Sequence, residues 1–214
     1  MHRPPRVAII GAGVAGLCTG VQLKKAGVEQ FTIFEKSDGV GGTWRDNSYP
    51  GCACDVPSHL YSYSFGINPA WTHKFSPQPE ILSYLEHCAD KFGLRPHIKT
   101  GTSVTAARFD TTSGTWKLKT DQGEDFEAEI LVSGVGQLNR PAIPAFAGLS
   151  DFAGRTFHSA RWDNTVDLTG KRVAVVGNGA SAIQFIPQIA PKAAQLTVFQ
   201  RSANWIVPRN DYAY

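Results

Sequence analysis

Two glycine-rich turns in the sequence have the spacing of turns that hold the diphosphate of a dinucleotide. The first, Gly11-Ala12-Gly13-Val14-Ala15-Gly16, follows an apolar tetrapeptide and opens a helical pattern. In such a turn the first glycine permits a tight bend, the second lets a phosphate approach the backbone, and the third lets the helix pack close to the strand. N–H groups at the start of the helix then face the phosphates. The sequence therefore predicts a dinucleotide site at Gly11, Gly13 and Gly16.

The residue that follows the next apolar segment indicates which dinucleotide this site would hold. Glu35 comes directly after Phe31-Thr32-Ile33-Phe34, at the end of a predicted strand. A carboxylate in this position can accept hydrogen bonds from both ribose hydroxyls, and it repels a 2′-phosphate. The first site is therefore predicted to prefer FAD or NAD over NADP.

The second turn, Gly177-Asn178-Gly179-Ala180-Ser181-Ala182, is the G-x-G-x-x-A variant, and its following strand ends in Gln200-Arg201-Ser202. An arginine there can form a bidentate pair with a 2′-phosphate, and a serine can add a hydroxyl donor. One chain thus carries an acidic ribose-binding residue and then a basic one, which predicts FAD at the first turn and NADPH at the second. A surface cation without a ligand is the alternative for Arg201.

The elements that must position these turns form two βαβ units, with parallel strands and right-handed crossovers. Apolar periodicity predicts the first as a strand at 6–10, a helix at 14–26 and a strand at 31–34, and the second as a strand at 172–176, a helix at 180–190 and a strand at 195–200. The predicted fold class is α/β: a Rossmann-like FAD-binding domain with a small antiparallel β-meander, followed by an incomplete second Rossmann-like NADP-binding domain.

Between the two units the sequence predicts several further elements. Residues 37–68 form a long segment rich in Gly, Ser, Tyr and Pro, and irregular segments of this length are usually functional. The remaining predictions are a helix at 77–92, a hairpin of strands 102–109 and 115–120, a strand at 129–133 and a linker at 138–147. The predicted domains are residues 1–140 for FAD, 141–170 as a linker and 171–214 for NADP.

Composition excludes several classes of function. The net charge of +3 over 214 residues comes from scattered side chains, which argues against nucleic acid, and no apolar run approaches the ~20 residues of a membrane span. The four cysteines are Cys18, Cys52, Cys54 and Cys88. Since Cys52-Ala53-Cys54 has neither redox nor zinc-site spacing, we predict reduced thiols, no metal and a cytoplasmic location, and we disfavour a flavin disulfide reductase.

A specific motif separates the two glycine turns. Residues 152–163, here called the motif segment, fit the pattern F-x-G-x-x-x-H-x-x-x-W-[P/D] through Phe152, Gly154, His158 and Trp162. With Gly41-Gly42-Thr43-Trp44, Tyr49-Pro50-Gly51, Cys54-Asp55 and 58–62, this pattern resembles the flavin-dependent Baeyer–Villiger monooxygenases, which are relatives of the flavin-containing monooxygenases. The resemblance covers essentially the whole chain but only about two-fifths of a typical member, so we expect a truncated chain that could be inactive alone.

The resemblance implies roles for many site residues. FAD contacts are implied for Ala15 with the first turn, for Glu35 and Lys36, for Gly42, Thr43, Trp44, Arg45, Asp46 and Tyr61, and for the backbone of Val104. NADP contacts are implied for Ala53, Cys54 and Asp55 near the nicotinamide, for Gly177 and for Gly179, Ala180, Ser181, Ala182 and Gln184 at the phosphates, and for Arg201 and Ser202 at the 2′-phosphate. Asp55 is the implied catalytic residue, because it could position a cationic group. His158 and Trp162 are implied to couple domain movement to the reaction.

The implied activity is that of an FAD- and NADPH-dependent monooxygenase inserting one oxygen atom from O₂ into a ketone. Two alternatives stay open: an N- or S-oxygenating flavin monooxygenase, and a nucleotide-binding remnant without turnover. The implied partners are O₂ and a small-molecule ketone or another soft nucleophile or electrophile, and the sequence predicts no protein partner.

Overall fold

A computed structural model describes residues 3–214 and divides the chain into two compact units. The first unit comprises the residues up to Arg45 together with Ile81–Asn139, and the second comprises Asp46–Glu80 together with Arg140–Tyr214. The segment from Asp46 to Glu80 thus belongs to the same compact unit as the second glycine turn. The assignment of FAD and NADP domains at the predicted boundaries stays a prediction.

The described residues contain nine strands and four α-helices, several of which match the predicted bounds closely. The strands are β1 (Val7–Ile10), β2 (Phe31–Phe34), β3 (Ile98–Lys99), β4 (Val104–Asp110), β5 (Thr115–Thr120), β6 (Asp125–Ala128), β7 (Ile130–Ser133), β8 (Arg172–Val176) and β9 (Gln195–Phe199). The helices are α1 (Val14–Lys25), α2 (Thr43–Asp46), α3 (Gln78–Lys91) and α4 (Ala180–Ile189).

The first unit is built on a parallel sheet with the strand order β3-β2-β1-β7. The register pairs Ile10 with Phe34 on one side and with Ser133 on the other, so three strand ends meet at one edge. The chain leaves β1 toward β2 and β3 and returns to β7 on the opposite side, which makes this edge the switch point where ligands of such sheets bind. Strands β1 and β2 are buried, as predicted from their apolar sequences.

An antiparallel sheet with the order β4-β5-β6 confirms the predicted β-meander. Leu118 and Ala128 are buried with Phe34, whose ring meets Phe126 edge to face at 5.1 Å. The sequence predicted the hairpin of β4 and β5 but missed β6 and β3. Strand β6 (DFEA) alternates charged with apolar residues over only four positions, and β3 has two residues, so neither has a clear periodic signal.

Helix α3 lies within the predicted bounds 77–92 and has an apolar stripe that is buried except for half-buried Leu82 and Phe92. Ile81, Leu85, Cys88 and Ala89 are buried at helical spacing, as is Tyr84, which was not predicted as a core residue. A tyrosine can lie in a core when its hydroxyl finds a partner, which apolar periodicity does not reveal.

The second unit contains the parallel pair β8-β9, in which Arg172 lies opposite Gln195 and Val176 opposite Phe199. Helix α4 connects them and buries Ala182, Phe185 and Ile189 on one face, while Pro187 lies on the exposed side. The segment after Asp46 is mostly irregular, with one 3₁₀ turn at Ser58–Leu60. In β8, the second glycine turn, α4 and β9, this unit has the predicted order of strand, turn, helix and strand.

The cysteines and the lengths of the helices bear on the predictions made from composition. All four cysteines are free, and burial raises the pKa of the Cys52, Cys54 and Cys88 thiols, which keeps them protonated. Across residues 3–214, no helix combines the length and the apolar composition that crossing a bilayer requires.

Candidate nucleotide-binding sites

The first glycine turn joins β1 to α1 in a conformation that only glycine accommodates at two of its positions. Gly11 has a φ of +98°, and a Cβ there would lie 2.5 Å from the carbonyl oxygen of Gly134, just beyond β7. A Cβ at Gly16 would lie 1.8 Å from the carbonyl oxygen of Gly11. Gly11 is therefore required by its backbone conformation and by the approach of Gly134, and Gly16 by the close packing of α1 against the turn, as the spacing predicts.

Gly13 differs, because the protein itself leaves room for a side chain there. A Cβ at this position would lie 3.6 Å from the Cα of Gly42, which is an ordinary contact. The first turn of α1 carries no acidic residue, and Gly13 as its N-cap offers no side-chain acceptor. The helix N-terminus thus fits an anion, and the space above Gly13 is what a phosphate would need.

Glu35 lies where the sequence predicts, against its own glycine turn. Its side chain is buried, Oε2 accepts a hydrogen bond from the N–H of Ala12 at 2.7 Å, and Oε1 accepts one from the N–H of Ser37 at 2.8 Å. Each carboxylate oxygen can accept more than one hydrogen bond, so capacity for ribose hydroxyls remains. The acidic group is therefore held beside the turn by the backbone.

Two predicted contact residues lie on the surface around Glu35. Lys36 is exposed, and its ammonium group donates to Asn139 at 3.2 Å. Val104 begins β4 and is half-buried; the chain enters this strand beside Glu35, because the N–H of Thr102 donates to the Glu35 carbonyl oxygen at 2.8 Å.

The loop around Gly42 is supported by Arg45. The Arg45 guanidinium donates to the Val40 carbonyl oxygen at 2.7 Å and to Glu86 at 2.6 Å. A Cβ at Gly39 would lie 2.5 Å from its Cζ, so glycine lets the guanidinium lie against the backbone. In the same short helix, Trp44 is buried and Thr43 is exposed. Arg45 thus braces the loop, a role that the sequence did not indicate.

In the second unit, the segment that carries Asp55 is held by backbone hydrogen bonds. The N–H of Cys54 donates to Ser76 at 2.9 Å, and the N–H of Gln78 donates to Cys52 at 2.8 Å. Asp55 itself is exposed, while Ala53, Asp46 and Tyr61 are half-buried. The arrangement presents the Asp55 carboxylate to solvent from a fixed backbone.

The second glycine turn joins β8 to α4 and lies beside Arg201. Gly177 has a φ of +102°, and its N–H donates to the carbonyl oxygen of Phe199 at 2.8 Å. The Asn178 amide donates to the Gln200 side chain at 2.8 Å and to the Ser202 carbonyl oxygen at 3.3 Å. The residues on both sides of Arg201 are thereby attached to the turn, Gln200 through its side chain and Ser202 through its backbone.

The second turn is open. Arg201 and Ser202 are exposed, and no described atom lies within 4 Å of a Cβ built on Gly177 or Gly179. Helix α4 carries no acidic residue in its first turn, so its N-terminus also fits an anion. Sequence reasoning missed the part played by Asn178, although an asparagine between the two glycines was a visible signal.

The motif segment packs within the second unit as a structural element. Trp162 lies against Phe157 and against Phe185 of α4, with ring centroids 5.1 Å apart in each pair. His158 accepts a hydrogen bond from the N–H of Ala160 at 3.1 Å, and Phe152 is exposed and lies over Gly154. The contacts of Trp162 link the motif directly to the helix of the second turn.

Asp163 closes the motif segment. Its carboxylate accepts from the Thr165 hydroxyl at 2.5 Å and pairs with Arg155 at 2.6 Å. The hydrogen bond from Thr165 and then the one from Arg155 lower the pKa of Asp163 to about 2. The charged form is therefore the one that holds the segment together.

The chain is similar to a well-defined group of proteins. The model of the flavin-binding monooxygenase-like family matches residues 4–214. A Baeyer–Villiger monooxygenase of Streptomyces coelicolor is 51% identical over 213 residues, covering 100% of this chain and 41% of the relative. One from Pseudomonas aeruginosa is 50% identical over 208 residues, covering 97% and 40%.

Solved structures agree with these relatives. A closed crystal structure of cyclohexanone monooxygenase superposes with a TM-score of 0.91 at 37% identity, covering 100% of this chain and 41% of that one. An oxidised steroid monooxygenase bound to NADP superposes with a TM-score of 0.89 at 46% identity, covering 98% and 41%. The chain thus spans about two-fifths of the length of the proteins it matches.

Proposed function

The chain belongs to the flavin-binding monooxygenase-like family, and we propose that its two glycine turns serve an FAD- and NADPH-dependent monooxygenase that inserts one oxygen atom from O₂ into a ketone. The proposed substrate is a small-molecule ketone. The relatives named as Baeyer–Villiger monooxygenases, and the solved cyclohexanone monooxygenase, support this class.

The observation that carries the proposal is the opposite charge beside the two turns. Buried Glu35 accepts a hydrogen bond from the first turn, and exposed Arg201 lies between residues that Asn178 attaches to the second. A carboxylate suits a ribose with free hydroxyls, whereas an arginine suits a 2′-phosphate. This difference supports FAD at the first turn and NADPH at the second.

At the first turn, the residues present fit FAD. The α1 N-terminus and the space above Gly13 would take the diphosphate, Glu35 would orient the adenosine ribose, and the loop braced by Arg45 would lie along the flavin. Lys36, Val104, Thr43 and Trp44 are further proposed contacts. When bound, the flavin supplies the oxygen-activating chemistry, and the protein's part is to orient it and to exclude water.

In the second unit, the proposed residues fit NADPH. The α4 N-terminus would bind the diphosphate and Arg201 with Ser202 the 2′-phosphate, while Ala53, Cys54 and Asp55 would face the nicotinamide. The exposed Asp55 carboxylate would position a cationic group near the reacting atoms by charge attraction. The cytoplasmic location expected from the thiols stays a prediction.

The experiment is to purify the protein with FAD and to measure NADPH-dependent O₂ uptake and product formation with cyclohexanone, an alkyl sulfide and a tertiary amine. We expect a lactone from cyclohexanone, and a preference for NADPH over NADH that Arg201→Gln lowers about ten- to a hundredfold. Lys192→Gln, an exposed cation after α4, is the matched control. Sulfoxide or N-oxide as the sole product would contradict the ketone assignment, and a bound flavin without turnover would favour the nucleotide-binding remnant.

A further inference from the structure

The side chain of Gln184, in the second turn of α4, bonds to the segment that leads to Asp55. Its Oε1 accepts a hydrogen bond from the Tyr49 hydroxyl at 2.8 Å and a longer one from the N–H of Ala53 at 3.5 Å. Its Nε2 donates to the Ala53 carbonyl oxygen at 2.9 Å. The carboxamide therefore pairs with both polar groups of Ala53, as a neighbouring strand would. We call Tyr49, Ala53 and Gln184 the latch.

Tyr49 gives the latch a permanent donor. Its side chain is buried, and burial raises the pKa of Tyr49 to about 12, although a side-chain hydrogen bond with Ser181 opposes the shift. The hydroxyl thus keeps its proton throughout the physiological pH range. Its ring meets Phe185 edge to face, with centroids 6.1 Å apart, and Phe185 in turn contacts Trp162 of the motif segment. Aromatic packing therefore supports the hydrogen bonds.

The latch joins two groups of residues that are far apart in the chain. Gly179 to Ala182 begin α4 and belong to the proposed phosphate site, whereas Ala53, Cys54 and Asp55 belong to the proposed nicotinamide site. Gln184 is bonded directly to the second group. Without these bonds the two groups could move independently, and a ligand that needs both would have to order them on binding.

We propose that Gln184 is a positioning residue, which acts through Tyr49 and Ala53 to fix the Asp55 segment to α4 and so preorganises the NADPH site. This inference rests on the proposed function and revises the direct phosphate contact that the resemblance implies for the Gln184 side chain.

The hydrogen-bonding groups of glutamine allow a test that distinguishes the proposed hydrogen bonds from packing alone. The latch needs a donor and an acceptor on one planar group. In Gln184→Glu the ionised carboxylate has only acceptors, so it repels the Ala53 carbonyl oxygen. The protonated acid regains a donor. We therefore expect the variant to bind NADP⁺ more weakly at high pH, and the loss to diminish as the pH falls toward the pKa of the new carboxyl group. That pKa is ordinarily about 4.3, and it is higher beside a carbonyl oxygen.

The measurement is the dissociation constant of NADP⁺ at several values between pH 8 and pH 5, as the ratio of variant to wild type at each pH, which cancels titration of the nucleotide itself. We expect Gln184→Glu to weaken binding about five- to tenfold at pH 8 and by less at pH 5. Gln195→Glu places the same charge at the exposed start of β9, away from the latch, and is the matched control. A ratio for Gln184→Glu that is independent of pH, or equal to that of the control, would overturn the proposal.

A double-mutant cycle of Tyr49→Phe and Gln184→Leu carries the test even where Gln184→Glu folds poorly. Both changes break the same hydrogen bond, so we expect the double variant to weaken NADP⁺ binding clearly less than the product of the two single effects. Fully multiplicative effects would refute the latch while leaving the proposed function intact. A wild-type protein that binds no NADP⁺ would instead overturn the proposed function and this inference with it.

Discussion

Glu35 is the residue on which the first site depends most. It is a buried carboxylate at the end of β2, and its two oxygens accept from the N–H groups of Ala12 and Ser37. Those hydrogen bonds orient the charge before any ligand is present. The carboxylate thus closes the turn, and its remaining lone pairs are proposed to accept the ribose hydroxyls.

Replacing Glu35 by glutamine separates the charge from the size of the side chain. The amide group would direct its nitrogen at one of the two N–H donors, leaving that donor unsatisfied at a cost of about 1–3 kcal/mol. We expect Glu35→Gln to lower the free energy of unfolding by this amount and to weaken FAD binding more than tenfold, measured by denaturant titration and by flavin fluorescence. Asp125→Asn, in β6 at a side chain that is 79% exposed, is the control and should change neither quantity appreciably.

The lowered pKa of Asp163 predicts that its contribution to folding stability depends on pH. The pKa of Asp163 is lowered in the folded protein to about 2 from an ordinary 3.8. The ionised carboxylate therefore stabilises the folded protein fully above pH 3.8, and this contribution is lost as the pH falls toward 2. We expect Asp163→Asn to lower the melting temperature at pH 7 and the difference from wild type to shrink between pH 4 and pH 3. Asp151→Asn, where the carboxylate accepts from neighbouring Ser150 at 3.3 Å, serves as control. A gap for Asp163→Asn that stays constant over this range would contradict the assignment.

At the scale of elements, the first glycine turn assigns different tasks to glycines three residues apart. Gly16 is needed so that α1 can approach the turn, since a Cβ would lie 1.8 Å from the Gly11 carbonyl oxygen. Gly13 meets no such limit, with 3.6 Å to the nearest atom. Gly16 is thus required by the fold, whereas the requirement for glycine at position 13 is proposed to come from the ligand.

This difference predicts opposite outcomes for two alanine substitutions. Gly16→Ala forces α1 away from the turn and should destabilise the protein by about 1–3 kcal/mol or more. Gly13→Ala should leave the melting temperature within a few degrees of wild type but reduce FAD binding about tenfold or more, because the methyl group enters the proposed phosphate space. Thermal unfolding with and without FAD distinguishes the two. Equal loss of stability in both variants would mean that Gly13 is also a packing residue.

At the scale of the whole molecule, the two turns lie in different compact units. The first unit contains Glu35 and the second contains Arg201, so the proposed ribose-binding residues of the two cofactors lie in different units. Residues 46–80 belong to the second unit although they precede α3 in sequence. The proposed NADPH site therefore draws on two distant stretches of the chain.

If FAD and NADP⁺ bind at separate sites, each should protect a different part of the chain from hydrogen–deuterium exchange. In hydrogen–deuterium exchange, FAD should slow exchange in residues 11–16 and 35–45, and NADP⁺ should slow it in 177–184 and 200–204. A ligand at a hundred times its dissociation constant adds about 2.7 kcal/mol to the stability of the state that binds it. At the same FAD concentration, Glu35→Gln should weaken the first pattern and retain the second. Protection of 11–16 by NADP⁺ alone would contradict the assignment of cofactors to turns.

The sequence by itself determined the elements and the chemical character of both turns. Glycine spacing, apolar periodicity, Glu35 and Arg201 are local signals, because each depends on residues within one βαβ unit. For that reason β1, β2, β8 and β9 lie at or within a residue of their predicted bounds. The family resemblance, which spans the chain, is shown by the family match.

Only the tertiary structure decided which distant residues meet. Gly134 closes over Gly11, Arg45 braces the Gly42 loop, and Gln184 reaches Ala53, and none of these pairs has a periodic or spacing signal in the sequence. Such contacts depend on where the strands and loops are placed in three dimensions, and a single chain read in order does not contain that information. The same holds for strand β3, whose two residues form a strand only because they pair with the edge of β2.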